Sequence, residues 1–483
     1  MSQHVGYIVK IEHLRPHTNA DRLQIATIFG NDVIVDLNVA IGDIGIYFPS
    51  DLQLSKEFCE INDLVRRKDE NGNPCGGYLD PDKRNIRPIR LRGEKSDGLY
   101  LPIKCLEYTQ GRLKIGDRID IVNGHEICCK YIPVIKNKAS SKTKKCNKVR
   151  KHTAPVAPLF IEHADTEQLN YNLDAFKAGD QIEITLKMHG TSNRVAYVPV
   201  LKKFKRTLFD RILGREGKPI YEYDYISGTR RTVLDSFDGG FYGSNAFRKQ
   251  FEDRLRGKLY KGEEVYFEIV GFTDAGTPIM PIGDNNKVGK DFVKQYGEKT
   301  VFSYGCHPLE VDINPQYFEG HIEEGIVKEY HQSEMYVYRM TMTNEDGDVV
   351  EYSPDFMRYR CEQIGCKTVP VMWKGFIPAD ETLEECYDCN GEWGTWRVIR
   401  KSTPGEWIMN IAEQFYDGPD PIGKTHVREG VVVRIINRPK FCAYKTKNFS
   451  FKVIEGIIKD TAQVPDIEEA QELLTENEEE INV

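Results

Sequence analysis

Residues 185–194, TLKMHGTSNR, place a lysine just ahead of a histidine and a glycine. Apolar Ile182, Ile184 and Leu186 alternate with Glu183, Thr185 and Lys187, the pattern of a half-buried strand that ends at a turn. Lys187 then lies on the polar face, followed at once by Met188, His189 and Gly190. A glycine there lets the backbone come close to something, either a phosphate or simply the next strand. One lysine at a strand end is commonplace, and the weight comes from polar residues planted in later β runs. The run YEYDYI leads into SGTRR, with Arg230 and Arg231. VYFEIVGF puts Glu268 in an otherwise apolar strand, where an unpaired carboxylate is costly. VFSYGC puts Tyr304 beside Gly305, and HVREGVVVRI puts Glu429 just before an apolar β run. AYKTKNFSF sets Lys445 and Lys447 two apart, hence on one face of a strand.

The elements that must position these residues follow from the punctuation of the chain. KNKASSKTKKCNKVRK, 136–151, holds eight Lys or Arg and no acid, and reads as a basic linker over 133–158. Before it, residues 1–132 show short alternating runs broken by Gly, Pro, Asn and Asp, the spacing of a small all-β barrel. After it, longer β runs such as EVYFEIVGF, TVFSYGC, MYVYRMTM and EGVVVRII mix with helical patterns such as SNAFRKQFEDRLRGKL. With no β-α-β repeat and no G-x-G-x-x-G, residues 159–462 read as an α+β domain around antiparallel sheet. The remainder, 463–483, is an acidic tail.

Charge and composition narrow the function classes. The net charge of −8 is matched by the eight acids between Asp466 and Glu480, so the rest of the chain sums to about zero. The basic linker is then a tether able to hold a polyanion through counterion release. No apolar run approaches the ~18 residues that span a bilayer, and the start MSQHVGYIVK lacks a secretory pattern. Twelve scattered cysteines suit reduced thiols in a cytoplasm. Cys386 and Cys389 form a lone C-x-x-C that Cys361 and Cys366 would have to complete for zinc, and free thiols are the simpler reading.

In order along the chain, the set Lys187, Arg230 or Arg231, Glu268, Tyr304, Glu429, and Lys445 with Lys447 resembles the six-motif core of the covalent nucleotidyltransferases, the polynucleotide ligases and mRNA capping enzymes. The resemblance spans roughly residues 160 to 460. The first motif reads Lys-Met-His-Gly, and histidine at that place is similar to RNA ligases. HLRPHTNADRLQIATIFG, GDIGIYFPSD and IRPIRLRGEKSDGLYLP resemble the tRNA-binding OB-fold modules of some aminoacyl-tRNA synthetases. An OB fold ahead of the nucleotidyltransferase looks like the layout of the Naegleria-type RNA ligases. The expected architecture is therefore α+β, an N-terminal OB-like β-barrel followed by an antiparallel-sheet nucleotidyltransferase domain.

The resemblance implies ATP and Mg²⁺ or Mn²⁺ as cofactors. It implies RNA with 3′-OH and 5′-phosphate ends as partner (tRNA or a nicked duplex), no membrane, a monomer and a cytoplasmic setting. It makes Lys187 the nucleophile that takes AMP, with Lys445 and Lys447 lowering its basicity and neutralising the α-phosphate. His189, Gly190, Arg230, Arg231, Glu268, Tyr304 and Glu429 would bind the nucleotide. Glu268 would meet a ribose hydroxyl, and Tyr304, or Phe302 on the same face, would stack on adenine. His189 would touch the phosphate or brace the turn, and Glu429 would also hold the metal. The long connection between Tyr304 and Glu429 reads as inserts that clamp RNA or carry a partner surface, and the basic insert 201–219 as part of a nucleic-acid path. A DNA ligase or GTP-dependent capping enzyme is the alternative chemistry, although both normally carry a C-terminal OB domain. A non-catalytic RNA-binding protein is the alternative of another class, and it has no need for the full set of lysines and carboxylates.

Overall fold

The computed structural model describes residues 4–68, 72–132, 156–164, 166–206, 217–230, 232–234, 236–238, 242, 244–308, 322–323, 326–327, 332–378, 384–387 and 398–462. Arg231, residues 133–155 of the basic linker and the acidic tail lie outside the described residues, as do Cys389 and the side chain of Cys386. The chain falls into two compact units. The first draws on 4–132, 283–298 and 449–462, the second on 156–282 and 299–448.

In the first unit β1 (Gly6–Lys10), β2 (Leu14–Pro16), β3 (Leu23–Ile28), β4 (Asn31–Asp36), β5 (Ile44–Phe48), β6 (Leu99–Pro102) and β7 (Arg118–Ile119) follow the short alternating runs of the sequence. They make a four-stranded antiparallel sheet in the order β6-β5-β1-β7 and a separate three-stranded sheet β2-β3-β4. Inward Ile8, Ile46, Phe48, Leu99, Leu101 and Ile119 bury one face of the larger sheet. Single hydrogen bonds tie β4 to the segment before β6, Asp97 N–H to Asp32 O at 2.8 Å and Ile34 N–H to Ser96 Oγ at 3.0 Å. The closed barrel expected from the sequence is not found among the described residues, because β4 is tied on by these points and not by a ladder.

Two antiparallel sheets build the second unit. The first comprises β8 (Gln181–Lys187), β14 (Val371–Phe376), β15 (Gly430–Ile435) and β16 (Ala443–Lys447), in the order β16-β15-β8-β14, with Glu167–Gln168 running parallel to β16. The second comprises β9 (Thr191–Lys205), β10 (Lys218–Gly228), β11 (Glu263–Gly271), β12 (Ser333–Thr343) and β13 (Val349–Glu351), in the order β10-β9-β11-β12-β13. Alternation decides which side chains each face presents. Ile182, Ile184, Val431, Val433 and Ile435 pack with Ile408 and Ala412 of a helix, Pro404–Tyr416. That helix starts on a capping box, Thr403 with Glu406, and Pro404 sits in its first turn where no N–H is missed. Glu183, Thr185 and Lys187 are consequently on the opposite face. On the other sheet Val265, Phe267, Ile269, Met335 and Val337 pack beneath Phe247, Phe251 and Leu255. Those three residues are spaced by four on a helix, Ala246–Leu255, as the pattern in SNAFRKQFEDRLRGKL requires. Each such apolar side chain contributes about 1.5–3 kcal/mol on burial. Glu264, Tyr266 and Glu268 again take the opposite face.

Two sequence expectations are corrected here. The connection from Tyr304 to Glu429 is not simply an insert: Ser333–Thr343 is a full partner of β11, Pro354–Ile364 is a helix over that sheet, and Val371–Phe376 pairs with β8. The run TVFSYGC forms a strand only at Lys299–Thr300, and Tyr304 and Gly305 then take positive φ of 47° and 80°, which no strand tolerates.

Candidate active site

Strand register assembles the lysines. Lys187 of β8 lies opposite Gly430 of β15, and Gly430 lies opposite Lys447 of β16, so the three form one row across three strands. Gly430 keeps the middle of the row bare: a Cβ there would lie 2.0 Å from the Thr446 carbonyl oxygen. Glu429 immediately precedes the row. Its Oε1 accepts Lys187 Nζ at 2.8 Å and Lys447 Nζ at 3.2 Å. Its Oε2 keeps a longer 3.5 Å contact with His189 Nδ1 and makes no other hydrogen bond among the described residues. Glu429 is 2% exposed, whereas Lys187 and Lys447 are 23% and 15% exposed. Burial pushes the Glu429 carboxyl up, but Lys187, Lys447 and His189 outweigh it and hold the group well below the usual carboxylate range.

The turn after Lys187 is fixed by its surroundings. His189 N–H donates to the Tyr304 hydroxyl at 2.8 Å, and the His189 ring meets Phe302 edge-on at 4.5 Å between centroids. Tyr304 and Phe302 are both buried. Burial, with Glu429, Asp420 and Glu268 nearby, holds the Tyr304 phenol well above its ordinary value. Gly190 resolves the question raised by its position. A Cβ there would sit 2.3 Å from the Ile269 carbonyl oxygen and 3.0 Å from Glu268 Cγ, so the close neighbour is the next strand. The following residues are gripped from the helix by Arg248, which donates to Ser192 O, Asn193 Oδ1 and Thr191 Oγ1 at 3.0, 3.1 and 2.7 Å.

The structure thus gathers Lys187, His189, Glu429, Lys447 and Tyr304 into one group, with Glu268 beside it on β11 opposite Ser192. Lys445 shares the strand face of Lys447, opposite Val432. Arg230 lies in the bend after β10, and its charge bears on His163 together with those of Arg339, Arg194 and Arg434. Sequence reasoning missed this arginine group. Arg194 is 1% exposed and donates to Thr229 O at 2.8 Å, Ile161 O at 2.7 Å and Glu264 Oε1 at 3.3 Å. Arg339 holds Glu351 through Nε and Nη2 and donates to His163 Nδ1 at 3.3 Å, and Arg434 reaches Glu351 Oε1 at 3.0 Å. The signal was available: RVAYV, YRMTM and VVVRI each set an arginine in an apolar β run, as VYFEIVGF sets Glu268. Asp420 and His426 also went unnoticed, both fully buried, with the His426 ring 4.5 Å from Tyr304 and 5.2 Å from Phe302.

A buried carboxylate flanked by two part-exposed lysines and a histidine can bind a phosphate and a hard cation together. Among the described residues no three His, Cys, Asp or Glu side chains cluster as a ready-made metal cage. Cys361 and Cys366 are packed against Met340 and Met335, and burial pushes their thiols up to about 12 and about 11.

Among known structures, the RNA ligase of Naegleria gruberi aligns along nearly its whole length. A variant with AMP and manganese gives a TM-score of 0.50 at 15% identity, covering 92% of this chain and 97% of that one. A variant with ATP and manganese gives 0.51 at 15% identity, covering 92% and 98%, and a nucleotide-free variant gives 0.51 at 15%, covering 94% and 98%. At that identity the likeness is one of fold. No curated protein matches the chain in sequence. The RNA ligase family model matches residues 180–454, more than half of the 483 residues and a span that takes in Lys187, Glu268, Glu429, Lys445 and Lys447. The chain belongs to the RNA ligase family.

Proposed function

We propose that this protein is an ATP-dependent RNA ligase that joins 3′-OH and 5′-phosphate RNA ends in RNA repair. The observation that carries the reading is the row Lys187–Gly430–Lys447 with Glu429 at its edge, which puts a nucleophile and a second cation each within 3.2 Å of one acid. In the first step Lys187 Nζ attacks the α-phosphorus of ATP, forming an N–P bond as the P–O bond to pyrophosphate breaks. AMP then passes to the 5′-phosphate of the RNA, and the 3′-OH attacks that phosphate and releases AMP. Lys447 and Lys445 set positive charge on the strand face where charge builds on the phosphates. Glu268 takes a ribose hydroxyl and Tyr304, or Phe302, the base. His189 serves the phosphate, and Arg230 or Arg231 the nucleotide.

ATP and a divalent cation are supported by the Naegleria structures that hold them. Glu429 is the residue that would hold Mg²⁺ or Mn²⁺. Its hard oxygens, with Oε2 held only by a long contact, suit a cation that takes one or two carboxylates and completes its shell from water and substrate. Bound there, the cation neutralises charge on the phosphates. The nucleotidyltransferase domain lies within residues 159–462, in the second unit, with 283–298 and 449–462 grouped with the first. Residues 1–132 form an OB-type RNA-binding module, joined by the basic linker 133–158, with 463–483 an acidic tail.

The test is incubation with α-labelled ATP or GTP and a divalent metal, followed by a denaturing gel. AMP should stay on the protein and Lys187→Ala should remove the label. A Lys187→Ala protein that labels like wild type refutes the assignment, and labelling by GTP alone returns the capping alternative.

A further inference from the structure

The connection from the helix Pro404–Tyr416 to β15 is a small closed loop whose purpose the reaction above does not use. Its ends are clasped: Arg428 N–H donates to Gly418 O, and Arg428 Nε to Pro419 O, both at 2.9 Å. At its centre the Asp420 carboxylate accepts the backbone N–H groups of Gly423 and Lys424, and Asp420 N–H donates to His426 O at 2.8 Å. His426 is oriented by donating from Nδ1 to the Val427 carbonyl at 3.0 Å. That leaves Nε2 4.0 Å from Asp420 Oδ2, and neither Nε2 nor Asp420 Oδ1 makes a hydrogen bond among the described residues. Two fully buried polar groups held so are expensive, and an apolar pair of the same size would pack at lower cost. Their retention therefore points to placement.

What the loop places is the backbone around Tyr304. The His426 ring packs edge-on against Tyr304 and Phe302. A Cβ on Gly423 would come within 2.9 Å of Gly305 N and 3.4 Å of the Tyr304 carbonyl carbon, so the loop backbone lies directly on the Tyr304–Gly305 turn. Tyr304 adopts φ of +47°, a conformation that costs a bulky residue of order 1–3 kcal/mol and persists only where neighbours enforce it. In that conformation its hydroxyl receives the N–H of His189, two residues beyond Lys187.

We propose that the Asp420–His426 loop is a positioning element for the lysine nucleophile, with His426 acting through Tyr304 on the turn that follows Lys187. The inference rests on Lys187 being the group that takes AMP. His426 touches neither the nucleotide nor the reacting atoms. It holds the hydroxyl that accepts the His189 N–H, and so the direction of Lys187 toward the α-phosphorus.

The test is a double-mutant cycle in the full chain, reading the rate of lysyl-AMP formation at saturating ATP. His426→Ala and Tyr304→Phe should each slow it by roughly tenfold to a hundredfold, the cost of a small misplacement of a reacting group. Because they act along one path, the double variant should be no slower than the slower single. Sealing of a pre-adenylylated RNA end, which skips attack by Lys187, should be affected much less by His426→Ala. Gly423→Ala, whose new Cβ strikes the same turn, should reproduce the split and serves if His426→Ala does not fold. Independent, multiplying effects would overturn the proposal, as would an equal fall in both reactions or a wild-type rate in His426→Ala. A Lys187→Ala chain that still takes up AMP would overturn the nucleophile itself, while a dead Lys187→Ala beside a fast His426→Ala would overturn only the positioning role.

Discussion

Glu429 and Glu264 are both buried carboxylates facing cations in the second unit, and they are held in opposite ways. Glu429 meets two lysines, which pull its carboxyl well below the usual range despite burial. Among the described residues Glu264 is ion-paired with Arg194 alone, and there burial prevails and pushes the carboxyl up to about 7. The partners differ as much as the acids. Lys187 and Lys447 are point charges on flexible stems that keep contact with solvent, so they can turn from Glu429 to an incoming phosphate. Arg194 is a fork whose Nε and Nη1 donate to Thr229 O, Ile161 O and Glu264 Oε1, and it lies over the Phe160 ring at 3.8 Å. One region keeps its cations in contact with solvent and the other buries its cation. Burial of both partners, and not charge alone, separates scaffold from site.

That comparison breaks first at Arg194. Arg194→Ala leaves Glu264 buried without its cation and should cost about 3–5 kcal/mol of unfolding free energy in urea. Adding Glu264→Gln should return part of it, and a single variant as stable as wild type would mean that the pair is not structural. Glu429→Gln should behave inversely. It removes the acid that gathers Lys187, Lys447 and His189, so AMP uptake should fall by about a hundredfold or more. Stability should change little, since the freed lysines can turn to water, as is common where a site trades stability for function. A Glu429→Gln chain that unfolds readily yet still labels at the wild-type rate would reverse the roles assigned to the two carboxylates.

Much of the site was legible because its residues violate local expectation. A glutamate in VYFEIVGF and two lysines on one face of AYKTK stand out from their strands, and Lys447 meets Glu429 in the fold. The helix Ala246–Leu255 was equally plain, since Phe247, Phe251 and Leu255 repeat at four. What was not legible depends on distant partners. Nothing in MYVYRMTM says that it pairs with β11, well upstream in the chain, so a core strand read as an insert. Tyr304 looked like part of a β run because a left-handed residue enforced by the Asp420–His426 loop leaves no local trace. Asp420 and His426 sit in DPIGKTH, an ordinary polar turn, and only the fold buries them. Gly190 signalled a close approach correctly, while the identity of the neighbour was a matter of sheet pairing. A closed barrel failed as an expectation because alternation fixes which face is inward and says nothing of whether the last strands pair.

The smallest effect concerns how the arginine region answers to pH. His163 is half-buried among Tyr266, Tyr338 and Phe441 and faces Arg339, Arg230, Arg194 and Arg434. Burial, then those four cations, hold its imidazole well below its ordinary value of 6.5. Below about pH 6.5 the unfolded chain therefore takes up a proton that the native chain refuses, and stability falls as pH falls, by roughly 1 kcal/mol per pH unit. Glu264 has the opposite sign. Its native carboxyl sits at about 7 against an ordinary 4.5, so between those values the native chain keeps a proton the unfolded chain has lost, and stability falls as pH rises. In the wild type the two slopes oppose each other between about pH 5 and 6.5. His163→Gln removes the first, so its stability relative to wild type should climb as pH drops through that window. Glu264→Gln removes the second, so its stability relative to wild type should decline over the same interval. Urea midpoints at half-unit steps would read both. Variants that run parallel to wild type would show that these two groups do not titrate apart, and that the region is held by its arginine forks alone.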